Sequence, residues 1–272
     1  MYQLQGKVAV LTGAASGIGR ATAYLLAKQG CVLALVDINQ TALEEVATHL
    51  RSTGGVVSTH VVDVADRIQM AALPDQVVAA HGVVHIVINN AGVMVADTLE
   101  HQSFEDFDWL FGINFWGVVH GCKFFLPHLQ RAGEGHIVNI SSLFGFYGLP
   151  SQSSYCASKF AVRGFTESLR AELAGGTIGV TAIHPGVTKT SIMKAGRSRD
   201  GQSNGFVQTS LSVMEKYGGT PERVAEKVVS AIRHNQPRVR VGWDSYVTDY
   251  IVRISPTVFN WVVGKIKGKM GA

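Results

Sequence analysis

The chain has 272 residues, 46% of them hydrophobic and only 16% charged, with a formal net charge of +4 at pH 7. That length fits one large α/β domain with a substantial core, and the charge balance, without a Lys/Arg run in the body, argues against a nucleic-acid partner. Three scattered cysteines, Cys31, Cys122 and Cys156, make neither a disulfide framework nor a C-x-x-C zinc pattern, so a reducing, cytoplasmic setting is expected and no metal site is.

No apolar stretch approaches a membrane-spanning length of about 18 residues, and Met1 to Lys7 lacks the charged and apolar regions of a signal peptide. The first β-branched run is Val8 to Leu11. It leads into Thr12-Gly-Ala-Ala-Ser-Gly-Ile-Gly19 and then a helical pattern over Arg20 to Gln29. Between a strand and a helix, this spacing is a pyrophosphate cradle. Gly13 permits the sharp turn, Gly17 lets backbone approach the anion, Gly19 allows tight helix packing, and Ser16 and Ile18 share the helix N-terminus that faces the charge.

The second strand, Val32 to Val36, ends at Asp37, whose carboxylate is placed to accept from both adenosine ribose hydroxyls and to repel a 2′-phosphate. That favours NAD over NADP. Arg20 is the opposing signal, because a guanidinium there would greet the phosphate. After a helix over Thr41 to Ser52, a third strand, Val56 to Val62, ends at Asp63 and Val64; Asp63 either accepts from the adenine amino group or caps the helix Arg67 to His81. A fourth strand, His85 to Ile88, runs into Asn89-Asn90-Ala91-Gly92, where Gly92 admits the ribose side of the cofactor.

One helix is predicted over Phe104 to Leu129, and it carries Asn114 between Ile113 and Phe115, where a buried amide needs partners. Strand five, His136 to Ile140, is followed by Ser142. Tyr155 and Lys159 then lie one turn apart on a helix over Ser154 to Leu173. A free tyrosine has a pKa near 10, and lowering it to about 7 needs roughly 4 kcal/mol. A single positive charge some 4 to 5 Å away supplies roughly 3 to 4 kcal/mol of that at an effective dielectric of about 20. Strand six, Val180 to Ile183, stops at Pro185-Gly186-Val187-Thr188. A helix opening at Thr220-Pro221-Glu222 and a strand over Arg238 to Val241 follow. Such alternation predicts a doubly wound parallel sheet of about seven strands, a Rossmann fold with helices on both faces, binding its ligand beyond the strands' carboxyl ends. Residues 1–245 form a single domain in this reading, with a substrate lid over 189–219.

Taken together, Thr12 to Gly19, Asp37, Asp63, Asn89 to Gly92, Asn114, Ser142, Tyr155, Lys159 and Pro185 to Thr188 resemble the short-chain dehydrogenase/reductase family, over roughly residues 5 to 245. The resemblance implies that Tyr155 is the general acid/base and that Lys159 lowers its pKa and holds the nicotinamide ribose. It implies that Ser142 bonds the substrate oxygen and that Asn114 anchors a water relaying protons to Lys159. Thr188 would meet the nicotinamide carboxamide, with Ile183 or Val187 against the ring, while His184 is structural. The reaction implied is reversible, metal-free hydride transfer between NAD and an alcohol or ketone, with oxidation the favoured direction. The alternatives are an NADPH-dependent carbonyl or 3-ketoacyl reductase, and a non-catalytic sensing or scaffold protein. A homodimer or homotetramer built on the helices around Asn114 and Tyr155 is also implied.

Substrate walls are expected from Leu143, Phe144, Phe146, Tyr147 and Leu149, and from an irregular stretch over 189–219 that holds Ile192, Met193, Phe206, Leu211 and Met214. These walls suit an apolar, medium-to-large alcohol. Lys194, Arg197 and Arg199 keep an anionic or carrier-linked substrate open. In a C-terminal helical extension, 246–272, Val247, Tyr250, Ile251 and Ile254 trace one helical face, and a second helix follows Pro256 with Val258, Phe259, Val262, Val263 and Ile266. That face either docks on the body, a partner subunit or the substrate pocket, or, with Trp261 and Lys265, Lys267 and Lys269, lies on a membrane surface.

Overall fold

The computed structural model describes residues 1, 3–193, 195–198, 203–257, 259, 261 and 264, with backbone alone over 203–207. The apolar runs become strands β1 (Val8–Thr12), β2 (Val32–Asp37), β3 (Val57–Val61), β4 (Ile86–Asn89), β5 (Gly135–Ile140), β6 (Ile178–Pro185) and β7 (Arg238–Val241). They form one sheet in the order β3-β2-β1-β4-β5-β6-β7, parallel throughout. The direction of growth reverses between β1 and β4. Loops leaving those two strands diverge to opposite faces and open a crevice at the carboxyl edge.

Helices α1 (Gly17–Lys28), α2 (Gln40–Ser52), α3 (Arg67–His81), α4 (Phe104–Phe111), α5 (Gly117–Arg131), α6 (Ser153–Glu172), α7 (Ser203–Tyr217), α8 (Pro221–His234) and α9 (Trp243–Ile254) surround the sheet. The strand period of two sorts its side chains between two cores. Ala9, Leu11, Leu33 and Leu35 pack with Leu26, Leu43 and Val228 of α1, α2 and α8. Val8, Val10, Ala34 and Val36 pack with Met70, Phe125 and Val162 of α3, α5 and α6. Both faces are therefore covered, which is why the central strands read as nearly unbroken apolar runs, while the edge strands β3 and β7 carry polar residues.

Three expectations change. The helix over Phe104 to Leu129 is α4 and α5 joined by a π-helical turn, Gly112–Trp116. A glycine at each end lets that turn lie close to the segment after β3, since a Cβ on Gly117 would stand 2.8 Å from Val64 Cγ2 and one on Gly112 3.3 Å from Ala65 Cβ. The stretch 189–219 is not irregular throughout, because α7 occupies half of it, with Met214 buried and Leu211 half-buried on its inner side. The C-terminal helix begins at Trp243, ahead of the expected boundary at 246, and its inner face is polar: Ser245 Oγ donates to the His184 carbonyl at 3.0 Å, and buried Asp249 accepts from Arg238, Arg240 and Arg253 at 2.8 to 2.9 Å. The expected apolar face of Val247, Tyr250, Ile251 and Ile254 is exposed instead of docked on the body. Val258, Val262, Val263, Ile266 and the three tail lysines lie outside the described residues.

Candidate active site

The glycine loop closes against the end of β4. Thr12 Oγ1 accepts the amides of Asn90 and Ala91 at 3.0 and 3.1 Å, and Asn90 Nδ2 donates to the carbonyls of Thr12 and Gly13 at 2.9 and 3.1 Å. Gly13 holds φ at +64°, and a Cβ there would stand 2.8 Å from the Ala91 backbone, so the position requires glycine. Gly19 packs on the Gly13 carbonyl and does not line the crevice. Ser16 precedes α1 without a side-chain cap, and Ser16, Gly17 and Ile18 border the cavity, so the first amides of α1 face it with the positive end of the helix dipole. The chemistry of this loop suits a pyrophosphate.

Asp37 borders the same cavity; Oδ2 accepts the Ala15 amide at 3.0 Å and Oδ1 accepts that of Asn39 at 3.0 Å. The carboxylate thus braces the glycine loop. Arg20 is exposed and stands outside the lining. Asp63 does not cap α3; Asp66 does, accepting from Ile68 and Gln69 at 2.8 and 3.1 Å, while Asp63 Oδ1 accepts from Ala65 at 2.9 Å and lines the cavity with Val64. Val64 and Ala65 form a turn between the two aspartates, so the cap falls to the second, next to the first helical residue Arg67.

At the other end of the cavity, of about 520 Å³, stand Ser142, Tyr155 and Lys159. Ser142 leaves β5 and starts a short 3-10 turn, its Oγ accepting from Phe144 N at 3.2 Å. His184 Nδ1–H donates to the Ser142 carbonyl at 3.1 Å; burial holds that imidazole down at about 3, so it is a neutral prop. Lys159 Nζ donates to the Ile140 carbonyl at 3.1 Å and lies 5.7 Å from the centre of the Tyr155 ring. Asn114, in the π turn, is fully buried: Oδ1 accepts from Val93 N at 2.8 Å, and Nδ2 donates to Val93 O at 2.9 Å and Ser158 Oγ at 3.2 Å. A wide π turn is a recurrent way of aiming one side chain at a site. A Cβ on Gly92 would stand 3.3 Å from Asn114 Oδ1 and 3.5 Å from Lys159 Nζ, so Gly92 is where the two groups can be approached together.

The electrostatics correct one expectation. In the protein alone Tyr155 is not lowered: burial pushes it up to about 12 against an opposing hydrogen bond from Ser142, and burial also pulls Lys159 down to about 8. Desolvation outweighs attraction because both groups are shut from water and the lysine sits beside the ring, pointing at a carbonyl.

Pro185, Gly186, Val187 and Thr188 line the crevice, and Ile183 is core, so of the two expected ring contacts only Val187 borders the cavity. A residue not foreseen holds this loop. Asp244, in the first turn of α9, accepts the Val187 amide on Oδ2 at 2.7 Å and fills the space beside Gly186 and Gly242. An acid in a helix's first turn ordinarily signals only the dipole, so the sequence offered no stronger hint. Asp244→Ala is expected to raise KM for the dinucleotide about tenfold or more, with Asp244→Asn restoring most of it, since one amide bond to a charged acceptor is lost. Steady-state kinetics and fluorescence titration with NADH check this; unchanged affinity in the alanine variant contradicts it.

Of the expected substrate walls, Leu143, Phe144, Leu149, Ile192, Met193 and Met214 line the cavity. Phe146 instead stacks on His184 at 4.3 Å, Tyr147 meets Phe259 at 4.8 Å, and Leu211 stays outside the lining. The Phe206 side chain is outside the described residues. Met94, Trp109 and Gln152 are unforeseen additions, brought in by the loop after β4, by α4 and by the start of α6.

A phosphate cradle at the switch point of a doubly wound sheet, joined by one cavity to a buried Tyr-Lys-Ser set, defines a nicotinamide-dinucleotide-dependent oxidoreductase. The family model for short chain dehydrogenases matches residues 7–201. The chain is 40% identical to SadH of Mycobacterium tuberculosis over 97% of its length and 96% of that protein's. It is 32% identical to the 3-oxoacyl-[acyl-carrier-protein] reductase FabG of Thermotoga maritima, over 98% and 97%. A short chain dehydrogenase/reductase from Burkholderia phymatum, solved in complex with NAD, superposes with a TM-score of 0.85 at 32% identity, covering 94% of this chain and 93% of that one. The protein belongs to the short-chain dehydrogenase/reductase family.

Proposed function

We propose that the protein is an NAD-dependent enzyme interconverting a secondary alcohol and a ketone on an apolar, medium-to-large substrate. The observation that carries this reading is the continuity of one cavity from Gly13, Gly17 and Asp37 to Ser142, Tyr155 and Lys159. The residues present suit the dinucleotide: uncapped α1 amides and a glycine cradle for the pyrophosphate, Asp37 for the adenosine ribose, Lys159 for the nicotinamide ribose, and Thr188 near the carboxamide. Bound nicotinamide supplies a carbon that accepts or gives up a hydride. Ser142 Oγ then orients the substrate oxygen and Tyr155 Oη takes its proton in oxidation or returns it in reduction. Lys159, held by Ile140, favours the phenolate. Asn114, fastened to Val93, keeps the π turn beside Lys159, where a proton-relaying water is proposed.

Asp37 in the lining and Arg20 outside it support NAD over NADP. The competing 3-ketoacyl reductase reading would call on cations at the lid. Arg197 is already engaged there, bonding Asp106 at 3.2 Å and covering the Trp109 ring at 3.8 Å; Lys194 and Arg199 lie outside the described residues. A screen of secondary alcohols with NAD and NADP, read as nicotinamide reduction, tests the assignment: turnover with NAD supports it, and binding of NAD without turnover of any alcohol overturns it in favour of a sensing role.

We also propose that the catalytic domain, expected over residues 1–245, runs on through α9, whose inner side is bonded to it, and that the protein is a cytoplasmic homo-oligomer. Trp116 and Phe160, on the helices around Asn114 and Tyr155, are 52% and 42% exposed, and α9 presents a second apolar surface. Among the described residues no helix is long and apolar enough to cross a membrane. Light scattering giving a dimer or tetramer mass, with no sedimentation on anionic vesicles, supports this; a monomer that sediments with them favours the membrane-surface alternative.

A further inference from the structure

Gln152 is 1% exposed and borders the cavity, yet the protein offers no hydrogen-bond partner to either end of its amide, Nε2 or Oε1. It occupies the position before α6 where a polar side chain normally caps the helix, and it does not cap. Its backbone is held on both sides. The amide donates to the Leu149 carbonyl at 3.2 Å, the carbonyl accepts from Cys156 N at 2.8 Å, and the preceding Ser151 is kept in the left-handed region at φ +60°. Buried polar atoms are nearly always paired, and backbone strain persists where surrounding structure enforces it, commonly at binding sites. A donor and an acceptor both without a partner, on a residue that borders the same cavity as Tyr155 and precedes it by three positions, are what a ligand's own polar group would complete.

The lining narrows the ligand's chemistry. Among the described residues the charged groups of the cavity are Asp37 and Asp63, which suit the dinucleotide, and Lys159, which stands beside the Tyr155 ring and donates to the Ile140 carbonyl. The cavity that Gln152 borders takes apolar walls from Leu143, Phe144, Leu149 and Met214. An amide in such a setting matches a neutral hydroxyl, which accepts from Nε2 and donates to Oε1. We propose that Gln152 is a specificity-determining residue that binds a second, uncharged oxygen function on the substrate, so that the enzyme acts on hydroxylated apolar alcohols or ketones in preference to simple ones. This rests on the oxidoreductase reading above.

The test compares octan-2-ol with octane-2,3-diol, octane-2,4-diol and octane-2,5-diol as NAD-linked substrates of the wild type, Gln152→Leu and Gln152→Met, with thermal unfolding of each protein. The expected result is a preference of the wild type for at least one diol by about 10- to 100-fold in kcat/KM, lost in both variants while octan-2-ol turnover stays within about twofold. Both variants should also unfold about 2–4 °C higher, because an unpaired buried amide has been replaced by an apolar group. Lower Tm with all four substrates slowed alike makes Gln152 structural and overturns the proposal. Turnover of octan-2-ol by the wild type without a diol preference overturns this proposal and leaves the oxidoreductase reading standing. No turnover of any of the four, with NADH still bound by fluorescence, overturns both.

Discussion

Replacing Tyr155 by phenylalanine is expected to lower kcat about 10³-fold, within the range of about 10²–10⁴ typical of a positioned acid/base, while NADH binding stays unchanged. The substitution removes one oxygen from a ring already packed edge-on against Phe144 at 6.0 Å, so the fold has little reason to respond. The same pair sets a pH dependence. Oxidation needs the phenolate, and burial places the phenol at about 12 and Lys159 at about 8 in the protein alone. Below about pH 8 the lysine is charged and the fraction of phenolate beside an ammonium grows about tenfold per unit. Above it the lysine loses its proton as fast as the tyrosine does, and the profile flattens. A cation bound beside the pair moves that break to lower pH. Alcohol oxidation should therefore rise and level with pH, and reduction should fall over the same range. A Tyr155→Phe enzyme retaining wild-type turnover would remove the mechanism.

The second large effect is on cofactor choice. The wild type is expected to prefer NAD over NADP at least about 100-fold, because a unit charge some 5 Å from a phosphate contributes roughly 3 kcal/mol at an effective dielectric of about 20. Asp37→Asn keeps an acceptor for the Ala15 amide, so the glycine loop stays in place and the charge alone is removed. That variant should lose about 10- to 100-fold in kcat/KM with NAD and gain relative use of NADP. Asp37→Ala should be worse with both cofactors, since it also releases the loop. Parallel kinetics with the two dinucleotides decide the matter, and an NADP-preferring wild type contradicts the assignment.

Much of this was legible beforehand because the signals are local and periodic. A strand buried on both faces must be apolar along its length, so the central runs announced themselves, while the edge strands β3 and β7 carry polar residues and read less plainly; a glycine loop between strand and helix can serve few purposes; and an i, i+4 Tyr-Lys pair shares a helix face whatever surrounds it. Where one side chain had two plausible partners, local pattern failed. Asp63 and Asp66 are both fit to cap a helix, and the turn length after β3 settles which one does. Gln152 and Asp244 carry no motif at all.

The amphipathic pattern of Val247, Tyr250, Ile251 and Ile254 forms a helix whose apolar face is exposed, which removes docking on the body from the alternatives and leaves the others open. Periodicity reveals that one face is apolar, but not whether that face turns inward; here Ser245 and Asp249, bonded to His184 and three arginines, take the inner side. The ionisation of Tyr155 follows the same logic. Residue types and spacing were enough for the fold and for placing the glycine loop and the Tyr155–Lys159 pair on one cavity, because those depend on backbone geometry and on neighbours within a few turns of chain. The Tyr155–Lys159 balance, the Asp244 brace, the unpaired Gln152 and the outward face of α9 depend on burial and on contacts between residues far apart in the chain, and desolvation is a property of the packed molecule.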